Sequence, residues 1–262
     1  MNVKTIYKVF EDAFTDYFVT FEKKPEMHIE RWLSAGVDFA LSYGVKKDQE
    51  LVAFLLHAPR EDFVMNLATG VRRDHHGQGL TGMMYQKALP DLRARGFLRT
   101  KLEVITLNER AIRAYEKAGF QKTRILRSWK GDLTDLTSSP EFRYKVLPPV
   151  LTAEHQGLIQ HPYAFEQDQV TVTRRSGMLE LHELRSEEKL CAYAIWNPLQ
   201  MNLVQMEGED EKALSTLLFR MQLQNEHVGM INVDEKKKVV NDFFERHGLK
   251  NFLSQYEMEL VL

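Results

Sequence analysis

The chain has 262 residues, 44% of them hydrophobic and 27% charged, with a formal net charge of −2. That composition describes an ordinary globular protein of one large or two smaller domains, and the near-neutral charge argues against bulk attraction to nucleic acid or to an anionic membrane. No apolar run approaches the roughly 20 residues of a membrane-spanning helix. No signal-peptide pattern opens the chain and Cys191 is its one cysteine, so a cytoplasmic protein without intramolecular disulfides is expected.

Ile6, Val9, Phe10, Ala13, Phe14, Tyr17 and Phe18 recur at steps of three and four, which predicts an amphipathic helix starting almost at the first residue. PEMHIERWLSAG (25–36) reads as a second short helix ended by glycine. Residues 38–45 and 51–57 predict an antiparallel pair across the polar turn KKDQE. Residues 64–71 are apolar and β-branched enough for a buried strand, and a glycine-rich turn follows. The next helix starts near Leu80 and stops at Arg93, Ala94, Arg95 and Gly96, with Pro90 expected to kink or break it. A strand at 101–107, a helix at 109–117 and strands at 122–129 and 142–146 complete this half. Pro148 and Pro149 then interrupt regular structure, which divides the chain into domains 1–147 and 148–262.

Gly77, Gly79 and Gly82 stand where a helix should begin. Glycines let backbone amides approach a bulky anion, and a helix N-terminus adds partial positive charge. The turn from His76 through Gly77, Gln78, Gly79, Leu80 and Thr81 to Gly82 therefore predicts a cradle for phosphate or pyrophosphate, with Arg72, Arg73 and His76 adding charge. No third ligand of suitable spacing stands near His75 and His76, so no metal is expected.

HHGQGLTG resembles the pyrophosphate loop of the GNAT (Gcn5-related) N-acetyltransferases, in which Gln or Arg is followed after two residues by Gly, and one residue later by Gly or Ala. Gly79 keeps that pattern; His76 and Thr81 depart from it. NERAIRAYEKAGF is similar to the family's later helix at Asn108, Ala111, Tyr115, Lys117, Ala118, Gly119 and Phe120, and the two motifs stand in the family's order. The resemblance spans residues 64–122. It implies an α/β fold with a mixed sheet, acetyl-coenzyme A as cofactor, and acetyl transfer by direct attack of a primary amine on a small molecule or peptide. It implies a backbone oxyanion donor around Thr69, Gly70 and Val71, a general acid at Tyr115, and cofactor contacts at Asn108 and Ala111. Asn108 also suits the N-cap of its helix, and Tyr115 suits a packed core position. Glu103, on the neighbouring strand, is a candidate to relay the amine's proton through water. Family members usually carry a strand before the first helix; here there is no room for one, so it is missing or another segment takes the sheet edge. The departures at His76 and Thr81 support an alternative, a non-catalytic acyl-coenzyme A sensor. The acceptor amine is not legible in the chain, and a homodimer is compatible with it.

The second half echoes the first. MNL recurs at Met65 and Met201, and KKKVVNDFFERHGL answers ERAIRAYEKAGF, setting Phe244 against Tyr115. QMEGEDEKAL replaces the glycine-rich turn, so Glu207, Glu209, Asp210 and Glu211 crowd the place of the pyrophosphate, where like charge repels it. The expectation is a tandem of GNAT-like domains whose C-terminal copy is degenerate and binds no coenzyme A in that mode.

Overall fold

The computed structural model describes residues 2–262, which form two compact units. One runs through Thr123 and also takes in Tyr256–Leu262; the other spans Arg124–Gln255.

In the first unit, helix α1 (Val3–Ala13) buries Ile6, Tyr7, Val9 and Phe10, and the Asn2 side chain caps it by accepting from the Lys4 amide. Phe14 ends this helix, so Tyr17 and Phe18 lie beyond it, outside the longer helix their spacing predicted. Helix α2 (Pro25–Ala35) begins on proline and ends on Gly36 in the left-handed region. Strands β1 (Tyr43–Lys47) and β2 (Glu50–Pro59) pair antiparallel through Asp48 and Gln49, both with positive φ, as a tight two-residue hairpin turn demands. Strand β3 (Phe63–Val71) pairs antiparallel with β2, helix α3 (Leu80–Ala94) follows, and strand β4 (Arg99–Ile105) pairs parallel with β3. Helix α4 (Glu109–Ala118) closes the motif. The sheet order is β1-β2-β3-β4, so β1 forms the edge of this part of the sheet. Pro90 neither breaks α3 nor ends it; the proline is exposed, so the backbone bond it forfeits lies toward solvent.

Strand β5 (Gln121–Asp132) carries the chain into the second unit, where β6 (Phe142–Leu147) is an edge strand. Helices α5 (Ala153–Leu158) and α6 (Gln169–Arg174) precede strands β7 (Glu180–Ser186), β8 (Lys189–Asn197) and β9 (Asn202–Gly208). Helix α7 (Glu211–Arg220), strand β10 (His227–Asp234) and helix α8 (Lys238–Arg246) then repeat the order strand, helix, strand, helix. Here the order is β5-β10-β9-β8-β7-β6, with β9 and β10 parallel. The final strand, β11 (Lys250–Val261), returns its residues from Tyr256 onward to the first unit, next to β4. The units therefore divide at 123/124 and 255/256, not at the expected 147/148. Pro148 and Pro149 follow β6, which pairs with β7, so they end a strand inside the second unit.

Strand β2 serves two cores. Ala53 and Leu55 of β2 pack with Tyr85, Leu102, Tyr115 and Phe120 under α3 and α4, joined by Met258 and Leu260 of β11. Phe54 and Leu56 point the other way, into the aromatic cluster of α1 and α2. Among the described residues, no helix is long and apolar enough to cross a membrane, and no cluster of three or more His, Cys, Asp or Glu side chains could hold a metal ion.

Candidate active site

The parallel pair β3 and β4 is matched from Phe63↔Arg99 to Asn66↔Leu102 and no further, although β3 continues to Val71 and β4 to Ile105. A bulge precedes the parting: Leu56 faces Ala68 and His57 faces Asn66, leaving Leu67 as the extra residue. Bulges bend and twist the strand that carries them, which re-aims β3 away from β4.

At the far end of β3 lies a cleft of about 490 Å³, lined by Val71, the turn residues Gly77, Gln78 and Gly79, and the first turn of α3. Gly77 and Gly79 adopt positive φ (78° and 70°), and a side chain at either, or at Gly82, would project into open space. Gly79 is the N-cap of α3 and no side chain caps that helix. The first-turn amides of Leu80, Thr81 and Gly82 have no partner within the helix by construction, so donors and the positive end of the dipole face the cleft. Arg110 and Lys117 of α4 supply cations.

The predicted cofactor-binding residues fall into four groups. Val71, Gly77, Gln78, Gly79, Leu80, Thr81 and Gly82 line the cleft. Thr69 lies deeper in the parting, and Gly70 is sealed beneath it, where a Cβ would meet the Phe54 ring with Cζ at 2.8 Å. Arg72 and Arg73 do not join the cleft as expected. Arg72 pairs with Glu50 (3.1 Å) and Asp74 (3.3 Å); Arg73 pairs with Asp16 (3.0 Å) and Asp12 (3.6 Å). Asn108 and Ala111 also stand off from the cleft, because the Asn108 side chain accepts the Ala111 amide at 3.1 Å and caps α4. His76 acts indirectly: Nε2–H donates to the Val71 carbonyl at 2.8 Å, and Nδ1 accepts from Arg110 at 3.1 Å.

Sequence reasoning missed Tyr85, Gln86, Arg110 and Lys117 in the cleft wall. The signal was present for α4, since Arg110, Ala114, Lys117 and Ala118 recur at helical spacing beside Tyr115.

Tyr115 is buried on α4, with its ring edge-on to Tyr85 and Phe120 at 6.1 and 6.0 Å. Burial pushes its pKa up to about 12, and the nearby Thr69 hydroxyl pulls slightly the other way. Asn66 donates to Thr69 Oγ1 at 2.8 Å and to Tyr85 Oη at 2.6 Å, so these polar groups converge on the parted stretch of β3. Glu103 alternates with Leu102 and Val104, which face α3 and α4, and so lies on the opposite face.

The second unit repeats the parting and fills it. Its β9–β10 match ends at Leu203↔Met230, and its bulge leaves Val204 as the extra residue. Val204 thus answers Leu67, which puts the MNL echo one residue out of structural register. The phenol of Tyr163 both donates to the Met206 carbonyl and accepts the Met206 amide, each at 3.1 Å. Lys237, buried, pairs with Glu207 and lies 4.1 Å from the Tyr163 ring centroid. Glu209 and Asp210 alone link β9 to α7, and Asp210 caps that helix by accepting the Ala213 amide at 2.8 Å. The acids expected to crowd an anion site have internal partners: Glu209 meets Lys189, and Glu211 meets Arg246.

Residues 5–120 match the model of the acetyltransferase (GNAT) family. No curated protein matches the sequence. A GCN5-related N-acetyltransferase from Sphaerobacter thermophilus is similar in structure (TM-score 0.71, 11% identity, covering 98% of this chain and 91% of that one). So is one from Anabaena variabilis (TM-score 0.65, 12% identity, 98% and 70%). A tandem GNAT protein from clavulanic acid biosynthesis is similar over 99% of this chain and 94% of its own (TM-score 0.66, 9% identity). At these identities the likeness speaks for the fold, a mixed α/β fold with a mixed sheet. Residues 5–120 thus carry an acetyltransferase (GNAT) domain.

Proposed function

We propose that the first unit is an acetyl-coenzyme A-dependent N-acetyltransferase. The observation that carries the reading is the uncapped N-terminus of α3, flanked by Arg110 and Lys117, at the mouth of the parted strands. Amides of residues 77–82 would hold a diphosphate there, because an open helix end with cations beside it suits an anion of that size. When bound, acetyl-coenzyme A supplies an acetyl group activated as a thioester. Tyr115 keeps its proton on Oη at any physiological pH and can deliver it to a departing sulfur. Glu103, on the opposite face, is suited to take the proton that the amine gives up. Direct attack is favoured over a covalent relay, since Cys191 is buried in β8 and burial pushes its thiol pKa up.

The second unit is read as a degenerate copy that binds no coenzyme. Asp210 already occupies the Ala213 amide at the start of α7, and Tyr163 occupies the backbone of Met206 in the parting.

Calorimetric titration with acetyl-coenzyme A, followed by thiol release in the presence of amines, tests both readings. One site per chain and amine-dependent thiol release are expected. Binding at about 100 times Kd should stabilise the fold by about 2.7 kcal/mol. Two sites would overturn the degenerate copy; no binding would overturn the enzyme; binding without thiol release would favour the sensor.

A further inference from the structure

The two faces of the parted strands differ, and the difference bears on the acceptor. Helices α3 and α4 cover one face, with Tyr115 and the phosphate cleft. On the other face Leu67 and Ala68 pack beside Phe14, Phe21 and Phe39, all of them only partly buried. With the proposed cofactor in the cleft of the first face, the nucleophile comes from this second face. It is lined by rings: the Phe14 centroid lies 4.7 Å from that of Tyr17 and 5.5 Å from that of Phe21, and Tyr17 lies 5.4 Å from Phe18. The Tyr17 hydroxyl accepts from Asn108 Nδ2 at 3.5 Å, which brings this group of rings to the start of α4, next to Leu107. Phe18 is 50% exposed and Leu107 70%, which leaves apolar surface here for an apolar ligand to cover. Of the charges close by, Asp12 and Asp16 are held by Arg73, and Glu22 by Lys24.

We propose that the acceptor is a primary amine on an apolar body, aromatic or aliphatic, seated against Phe14, Tyr17 and Phe18 with its amino group toward Glu103. The inference rests on the transfer reaction proposed above. The N–C bond forms as the C–S bond breaks; the nitrogen loses one proton to Glu103 or water, and the sulfur gains one from Tyr115 Oη, which solvent restores. No further reactant is needed.

Phenethylamine, hexylamine, spermidine and a short polar peptide would be compared on the full chain with acetyl-coenzyme A. The expected result is a kcat/KM about tenfold or more higher for the two apolar amines, the scale at which apolar pockets discriminate. Phe18→Ser should raise the phenethylamine KM about fivefold with kcat unchanged, as loss of uniform binding does. Equal or better use of spermidine or the peptide would overturn the inference. Phenethylamine is also titrated calorimetrically into protein saturated with coenzyme A. If binding appears there and weakens in Phe18→Ser while no amine turns over, the apolar site stands and the transfer chemistry falls. If phenethylamine does not bind, the site does not exist.

Discussion

Arg110 donates to Nδ1 of His76 at 3.1 Å, while Nε2 of the same ring donates to the carbonyl of Val71 at 2.8 Å. The imidazole is thus a strut between the end of β3 and the first turn of α4, and it holds a cation at the cleft in a position that Arg72 and Arg73 do not fill. Replacing His76 with Ala leaves Arg110 untethered. Because Arg110 is exposed, the expected loss is about 1 kcal/mol, or about fivefold in coenzyme A affinity by calorimetry. An unchanged Kd would show that Arg110 holds its place unaided.

Gly82 separates binding from folding. It sits in the first turn of α3 at an ordinary helical φ, with open space around it. Gly82→Glu should stabilise the protein, by removing a helical glycine and placing an acid at a helix N-terminus, each effect being on the order of 0.5–1 kcal/mol. The same carboxylate would stand in the phosphate cleft, so coenzyme A affinity should fall at least about a hundredfold, since the cradle loses its space and its charge. A higher Tm with intact affinity would place the ligand elsewhere.

Tyr115→Phe keeps the ring packing and removes the acid. The expected effect is a fall of about a hundredfold in kcat, the scale of general acid catalysis, with coenzyme A affinity unchanged. The group also leaves a mark on stability. Its folded pKa of about 12 lies above the ordinary 10.0 of a tyrosine, so its contribution is complete below pH 10 and disappears as pH climbs from 10 toward 12. Alkaline denaturation should therefore be shallower in Tyr115→Phe. It should not become flat, because Tyr43, raised to about 12 mainly by burial, titrates over the same range.

His57 should dominate the acid side. It is completely buried, its Nδ1–H donates to the Leu41 carbonyl at 2.7 Å, and burial lowers its pKa from 6.5 to about 4. The folded protein thus binds fewer protons than the unfolded chain between those values. Stability from this group is complete above pH 6.5 and drains as pH falls toward 4, by about 3 kcal/mol in all. Urea melts of His57→Gln, which does not titrate, should lose much less stability between pH 7 and pH 4.5 than the parent; equal losses would refute the assignment.

The local parts of this site were readable in the chain, and the tertiary choices were not. Glycine spacing before Leu80 and the apolar stripe of 109–118 encode a turn and a helix within a dozen residues, so both the open helix end and the buried Tyr115 could be foreseen. Partner choice depends on what the fold brings together. Arg73 looks like a phosphate ligand until α1 delivers Asp12 and Asp16 to it, and Arg72 until the hairpin delivers Glu50. Asn108 carried two readings, and its cap to Ala111 settles where its side chain goes. The register of the repeat is set by where each sheet places its bulge, at Leu67 and at Val204, which three identical letters could not reveal. Tyr163 is the clearest omission: it lies far from any motif, and only folding carries its phenol to Met206.

The last strand has a consequence for how the molecule is made. Met258 and Leu260 complete the core around Tyr85 and Tyr115, Leu262 donates its amide to Leu98, and Glu259 pairs with Lys101. A ribosome that has translated the chain through Thr123 still holds a unit with an unclosed core, and must read on through some 130 further codons, a whole domain's length, before the strand that closes it emerges. The first unit is thus the last to mature, and a nascent chain released early would expose its apolar sheet.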